Sequence, residues 1–323
     1  MERKSKLVLS VLLLAALYTL GIRAALNPSL PSLQNPLQFY SNQRRDDFRL
    51  VLKKLFAKAV SSIHITMYHA TDEELLHQLH QKALQGVTVK IWHDKSCPTP
   101  ASSLLQTQKV KTKGLMHRKI VVVDDALVLL GSANMTTSSL LLHDNLSIGF
   151  YHPPLAQFLN NPSSPFFEFK VHDQPCKLWL LPAPDVLNEL IEKLETAKES
   201  IFVAMFTLTH PHLLKTLASA HARGIHVTVA LDHYAARGAS KKAVKFLQEN
   251  GVPVIFSQGL QLLHHKWAYI DRRHLILGST NWTQAAFTKN QDCLLFLNHL
   301  DSSQQKVLDK LCKTITLESK EAL

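Results

Sequence analysis

One phrase occurs twice in this chain, with the same internal spacing each time. The first copy runs His117-Arg118-Lys119, then Asp124, then Gly131-Ser132-Ala133-Asn134. The second runs His264-His265-Lys266, Asp271 and Gly278-Ser279-Thr280-Asn281, with every matched residue 147 positions later (117 to 264, 124 to 271, 134 to 281). The duplication reaches upstream. Ala59, Ile63, Met67, Gly86, Val89 and Asp94 match Ala197, Ile201, Met205, Gly224, Val227 and Asp232 at an offset of 138 (59 to 197, 94 to 232). A period of about 140 residues is domain-sized, far longer than the roughly 20–50 residues of solenoid and propeller repeats. The chain must therefore fold as two halves of one topology.

Within each half, short apolar runs alternate with helix signals. Residues 63–68, 87–92, 120–124 and 127–130 read as strands, as do 201–206, 225–231, 267–271 and 274–277. Residues 71–85 read as a helix, with Thr71 and Glu74 in a capping-box pattern and Gly86 at the C-terminal end. Near-continuous apolar strands separated by helices predict an α/β fold: two homologous α/β halves, each a mixed sheet covered by helices. The halves are expected at residues 40–150 and 185–300, joined by a Pro-rich connection at 151–184 and followed by a C-terminal helix or tail at 301–323.

At the start, Arg3, Lys4 and Lys6 precede an apolar run from Leu7 to Ile22 that Arg23 closes. The run is long for the core of a signal peptide and short for a standard membrane span. Cleavage after Ala25 would put Arg23 where a small residue is wanted. Residues 1–26 are therefore expected to be an uncleaved signal anchor rather than a cleaved signal. The body, membrane-anchored or secreted, would then stand outside the cytoplasm. A formal net charge of +11 suits a polyanionic partner, either nucleic acid or an anionic lipid surface, and does not choose between them. Cys97, Cys176, Cys293 and Cys312 lack the CxxC spacing of zinc and redox sites, leaving two disulfides or four unpaired thiols open.

The repeated residues suit attack on a phosphodiester. Residues two apart on a strand share a face, so each His is delivered beside its own Lys. The ammoniums of Lys119 and Lys266 and the amides of Asn134 and Asn281 can hold the negative charge that gathers on phosphoryl oxygens. One of His117 and His264 can attack phosphorus and form a phosphohistidine while the other protonates the leaving oxygen. That histidine then deprotonates water or an alcohol. The lysines supply the charge a divalent ion would bring, so neither metal nor other cofactor is called for.

The doubled HxKxxxxDxxxxxxGSxN pattern resembles the phospholipase D superfamily across residues 45–300. The second copy, continuing through Trp282-Thr283-Gln284-Ala285-Ala286-Phe287 to Asn290 and Asp292, is similar to compact bacterial members: nucleases, phospholipases and cardiolipin synthases. The resemblance implies a pseudo-twofold fold with one site between the halves and a phosphohistidine intermediate. It also implies an acid eleven residues after each motif Asn, orienting the catalytic His. The second copy has Asp292 there, but the first has Asn145. An Asn carbonyl can accept the imidazole N–H but cannot stabilise an imidazolium with charge, so His117 is expected to be the less basic of the two.

The remaining motif residues carry plainer expectations. Asp124 and Asp271 follow short strands and are expected to anchor turns. Gly131 and Gly278 suit close backbone packing. Ser132 and Ser279 either donate to the phosphate or cap the helix that follows. Histidines outside the duplicated positions, among them His77, His80, His93 and His210, lack carboxylates at matching spacing and are expected on solvated surface. His265 is expected to pack away from the cleft. The leading reading is an anchored phosphodiesterase that hydrolyses a glycerophospholipid at its headgroup or transfers the phosphatidyl group, acting as a monomer because one chain holds both half-sites. A metal-independent nuclease and a catalytically inert lipid- or nucleic-acid-binding relative are the alternatives.

Overall fold

The computed structural model describes residues 28–100, 102–259 and 261–321. The N-terminal signal anchor expected at residues 1–26 lies outside the described residues. No described helix is long and apolar enough to cross a membrane.

The first half supplies β1 (Leu37–Ser41), β2 (Ser62–Met67), β3 (Thr88–Asp94), β4 (Gln106–Val110), β5 (Lys119–Val123), β6 (Leu127–Gly131) and β7 (Leu146–Tyr151), in the spatial order β1-β7-β6-β5-β2-β3-β4. Strands β2, β3 and β4 run parallel and the other neighbours antiparallel, so the sheet is mixed. The second half begins with β8 (Phe166–Val171) and β9 (Gln174–Leu180), a hairpin at one edge. It continues through β10 (Ser200–Met205), β11 (His226–Leu231), β12 (Val254–Ser257), β13 (Lys266–Ile270), β14 (His274–Gly278), β15 (Cys293–Leu297) and β16 (Ser319–Glu321). Its order, β16-β12-β11-β10-β13-β14-β15-β9-β8, repeats the central run of the first sheet.

The pleat explains how these apolar strands are used. Ile63, Ile65, Val89, Ile91, Val121 and Val123 face the helices Phe48–Lys58 and Glu73–Leu84. The alternate residues Ile120, Val122, Val128, Leu130 and Ile148 turn the other way, against Trp267, Leu275, Leu277 and Leu295 of the second sheet. Each sheet is therefore covered by helices on one face and by the other sheet on the opposite face, giving four layers. The helix Ser302–Leu317 closes the inter-sheet core with Leu308, Leu311 and Ile315.

Two local expectations change. The helix Glu73–Leu84 is capped by Asp72, whose carboxylate accepts from Leu75 N at 3.1 Å. Thr71 is not the cap; Arg49 holds the Asp72 carboxylate at 2.6 Å from the other side. The Pro-rich stretch 151–184 is regular: it forms the helix Pro153–Asn160 and the hairpin β8–β9, with β9 paired to β15. Proline at the first helical turn and at strand ends loses no needed N–H, which is why seven prolines do not break it. The four cysteines are unpaired.

Candidate active site

Antiparallel pairing delivers the motif to one end of each sheet. Met67 lies opposite Lys119, and Ile120 opposite Leu130. The residue after β2, the start of β5 and the end of β6 therefore meet. In the second half Met205 lies opposite Lys266 in the same way. The hairpin β5–β6 turns on Asp124 and Asp125, both at positive φ, and β13–β14 on Asp271 and Arg272 likewise.

Backbone bridges then stitch the two ends together. His117 N donates to Gln291 O at 2.7 Å, and His264 N donates to Asp144 O at 2.9 Å. The residue after each acceptor is the one expected to orient a histidine, and the stitching hands it to the opposite half. His117 Nδ1 donates to Asp292 Oδ1 at 2.7 Å, and His264 Nδ1 donates to Asn145 Oδ1 at 3.0 Å. Asn145 Nδ2 donates to Ser139 O and His143 O, which leaves its oxygen as the acceptor. Both imidazoles thus carry their proton on Nδ1 and keep Nε2 for the cleft.

The exchange reverses the expected basicity. His117, not His264, has the carboxylate. Burial and the Lys119 ammonium push the His117 pKa down to about 4 against the upward pull of Asp292. Burial, Lys266 and Lys119 push His264 well below the ordinary histidine range, and no carboxylate opposes them. His264 is therefore the less basic, because each orienting residue serves the other half. The Asp292 carboxyl, though burial raises it, is held below its usual range by His117, Lys119 and Ser279.

Both lysines are buried. Lys119 Nζ donates to His117 O at 2.7 Å and Lys266 Nζ to His264 O at 2.8 Å, so each ammonium is folded back onto its own motif. Burial lowers Lys119 to about 7, and burial with the facing Lys119 lowers Lys266 well below the usual amine range. Two cations held this close in a desolvated site favour an anion between them. The side-chain oxygens of Asn134 and Asn281 are buried without a hydrogen-bond partner among the described residues.

The serines and aspartates of the motif do other work. Ser132 Oγ donates to Asn145 Oδ1 at 2.9 Å, and Ser279 Oγ donates to Asp292 Oδ1 at 2.6 Å. Neither serine caps a helix; Thr136 and Thr283 do. Asp124 accepts from the backbone N–H groups of Val60, Ser61 and Ser62 at 2.8–2.9 Å, and Asp271 from those of Lys198, Glu199 and Ser200 at 2.8–2.9 Å. Both sit at the far end of the hairpin from the histidines and hold turns. A β-carbon on Gly131 would strike Leu146 and Ser147, and one on Gly278 would strike Cys293, so close packing demands glycine at both. His265 packs against Trp267 as expected. His93 and His210, expected on the surface, are buried.

Two pairs escaped the sequence reading. Tyr68 and Phe206, matched at the 138 offset, stand beside the histidines with ring centroids 5.1 Å from His117 and 5.2 Å from His264. Lys119 Nζ lies 5.1 Å from the Tyr68 centroid and Lys266 Nζ 5.2 Å from that of Phe206. Asp94 and Asp232 match across the repeat, but the sequence alone assigns them no task. Asp94 accepts from Met116 N at 2.9 Å and Asp232 from Leu263 N at 3.1 Å, each anchoring the residue just before a motif histidine.

A family model described as "Cardiolipin synthase, PLD-like domain" matches residues 52–162 and 190–311. The mitochondrial cardiolipin hydrolase of Homo sapiens is 32% identical over 121 residues, 37% of this chain and 47% of that protein. The protein of the same name from Mus musculus is 32% identical over 123 residues, 38% of this chain and 55% of that protein. The chain thus spans about half the length of these curated relatives. The crystal structure of phosphatidylserine synthase from Haemophilus influenzae Rd KW20 aligns with a TM-score of 0.71 over 93% of this chain and 91% of that one. At 15% identity, that is a likeness of fold.

Proposed function

Because the chain belongs to the phospholipase D superfamily, we propose that it cleaves a glycerophospholipid phosphodiester through a phosphohistidine, releasing the headgroup or passing the phosphatidyl group to an alcohol. The observation that carries this reading is the pair of buried imidazoles with protonated Nδ1 and open Nε2, flanked by two buried lysines.

The unequal partners divide the steps. His117 Nε2 attacks phosphorus and forms a P–N bond; the Asp292 carboxylate stabilises the positive imidazole that results. As the P–O bond to the leaving group breaks, His264 gives that oxygen its proton. Burial, Lys266 and Lys119 together oppose a proton on His264. A bound phosphodiester anion offsets both ammoniums and lets His264 hold it. His264 Nε2 then takes a proton from water or an alcohol, whose oxygen attacks phosphorus and breaks the P–N bond. Lys119, Lys266, Asn134 and Asn281 hold the phosphoryl oxygens throughout.

Three observations support a lipid. The relatives are named as cardiolipin hydrolases, and the apolar run Leu7–Ile22 suits a membrane anchor that keeps the body at a bilayer outside the cytoplasm. Leu115, two residues before His117, and Leu141 and Leu142, just after the first motif, are exposed. One feature favours the nuclease reading: Lys109, Lys111 and Lys113 are exposed on the approach to His117 and form no ion pair among the described residues. Both readings are tested by incubating full-length protein, in chelator, with mixed phospholipids and with single-stranded DNA, beside a His117→Ala, His264→Ala control. Headgroup release by the wild type alone is expected; cleavage of DNA alone would transfer the assignment to nucleic acid, and silence on both would sink the enzyme.

A further inference from the structure

Arg118 sits between His117 and Lys119 in sequence and turns away from them. Alternation along the chain sends it to the face it shares with Ile120 and Val122, where a cavity of about 320 Å³ opens between the first sheet and the segment after helix Pro153–Asn160. Trp92, His64, Gln108, Leu159 and Leu180 are among the residues that line it. No carboxylate among the described residues lines it.

The arginine there forms no ion pair among the described residues. Its Nε donates to Asp292 O at 3.3 Å and its Nη2 to Leu181 O at 3.2 Å, both long bonds to neutral carbonyls. Its Nη1 has no partner, and the guanidinium makes no ion pair, among the described residues. Burial lowers the Arg118 pKa, and Cys293 and Asp292 oppose it only in part. A second donor faces the same space. Trp92 Nε1 donates to Gln108 Oε1 at 3.1 Å, which leaves the Gln108 amide N–H₂ without a partner among the described residues. The duplicated position offers no equivalent: His265 is fully buried and closed off by Gln43 at 2.7 Å.

We propose that this cavity binds a small organic anion, a carboxylate or phosphate monoester with a short apolar body. The oxyanion pairs with the guanidinium of Arg118 and the amide of Gln108, and the apolar body lies against Trp92, Leu159 and Leu180. A guanidinium presents parallel N–H groups that match the two oxygens of such a head group, and the volume is that of a small-ligand pocket. The site is independent of the reaction assigned to the cleft. It touches that cleft through the Asp292 carbonyl, so a ligand drawing on Arg118 competes for a contact on the residue that orients His117.

The test follows the indole N–H resonance of Trp92 in full-length ¹⁵N-labelled protein, assigned with Trp92→Phe, while hexanoate and hexyl phosphate are added separately, with inorganic phosphate as a third probe. At least one of the two apolar-bodied anions is expected to shift this resonance saturably. Its dissociation constant should rise at least about tenfold in Arg118→Gln, a loss of the size expected for a charge-assisted pair, and recover in part in Arg118→Lys. Val110→Phe, which narrows the cavity and keeps the arginine, should weaken binding without unfolding the protein. No shift by either anion, a shift by inorganic phosphate alone, or equal affinity in all variants would overturn the proposal.

Discussion

Asp292 of the second half accepts the Nδ1 proton of His117 of the first at 2.7 Å, while the matching bond from His264 ends on the neutral Asn145 at 3.0 Å. Each imidazole takes its orientation from across the seam, but only His117 takes a charge with it.

Replacing Asp292 by Asn keeps an acceptor and removes that charge. The positive imidazole formed on attack loses its counter-ion, and an amide can turn its N–H₂ toward the ring and select the wrong tautomer. A fall in kcat of roughly 100-fold or more is expected, since the corresponding change in a serine protease triad costs about 10⁴. Ser279→Ala, which removes only the 2.6 Å hydroxyl bond to Asp292, should cost far less. Headgroup-release kinetics of both variants decide it, and equal losses would mean that the carboxylate charge is irrelevant.

The converse change, Asn145→Asp, gives His264 the anion it lacks. A carboxylate at hydrogen-bond distance raises an imidazole pKa by about 1–3 units. The pH profile of kcat/KM should therefore shift the limb that reports His264 toward higher pH by about one unit or more. An unmoved limb would show that His264 does not carry the titrating proton.

Lys119 costs stability for the sake of its position. Its folded pKa, about 7, lies below the ordinary 10.5, so the buried ammonium opposes folding. The penalty is present in full below about pH 7 and fades as pH rises toward 10.5. Lys119→Met should abolish turnover and raise Tm, by roughly 1–2 °C for each kcal/mol regained in a chain of this size. The gain should be largest below pH 7 and should shrink in alkali. Thermal melts across pH check this, and a variant less stable than wild type at every pH would contradict it.

Asp124→Ala should leave kcat alone and weaken the fold. It removes an acceptor of three backbone N–H groups and the Ser61 hydroxyl, at a cost of about 2–3 kcal/mol. Those bonds, against the opposing effect of burial, hold the Asp124 carboxyl below its usual range. The stability it lends is present at neutral pH and lost as pH falls through its folded pKa, so variant and wild type should converge in acid. A loss of kcat in the folded variant would return Asp124 to the chemistry.

Most of the cleft was legible because the repeat displays it: a histidine, a lysine and an asparagine at fixed spacing need no fold to be seen as a set. The pairing of His117 with Asp292 was not legible. Counting eleven residues from Asn281 finds the acid but says nothing of which half receives it, and the bridges His117–Gln291 and His264–Asp144 that decide this are long-range. Tyr68 and Phe206 hid because an aromatic ending a strand looks like core. Asp72 won the helix cap from Thr71 because Arg49, distant in sequence, neutralises it. The Pro-rich stretch, expected only to join the halves, also adds β8 and β9 to the second sheet, because prolines at helix starts and strand ends cost those elements nothing.

The crossed orientation of the histidines has a consequence for descent. A substitution at position 145 is written in the first half and felt at His264 in the second, so the duplicated halves were never free to drift as separate heirs of one ancestor. What each copy inherits is half of two bargains, and a change such as aspartate to asparagine alters the proton chemistry of its sibling while leaving its own histidine untouched.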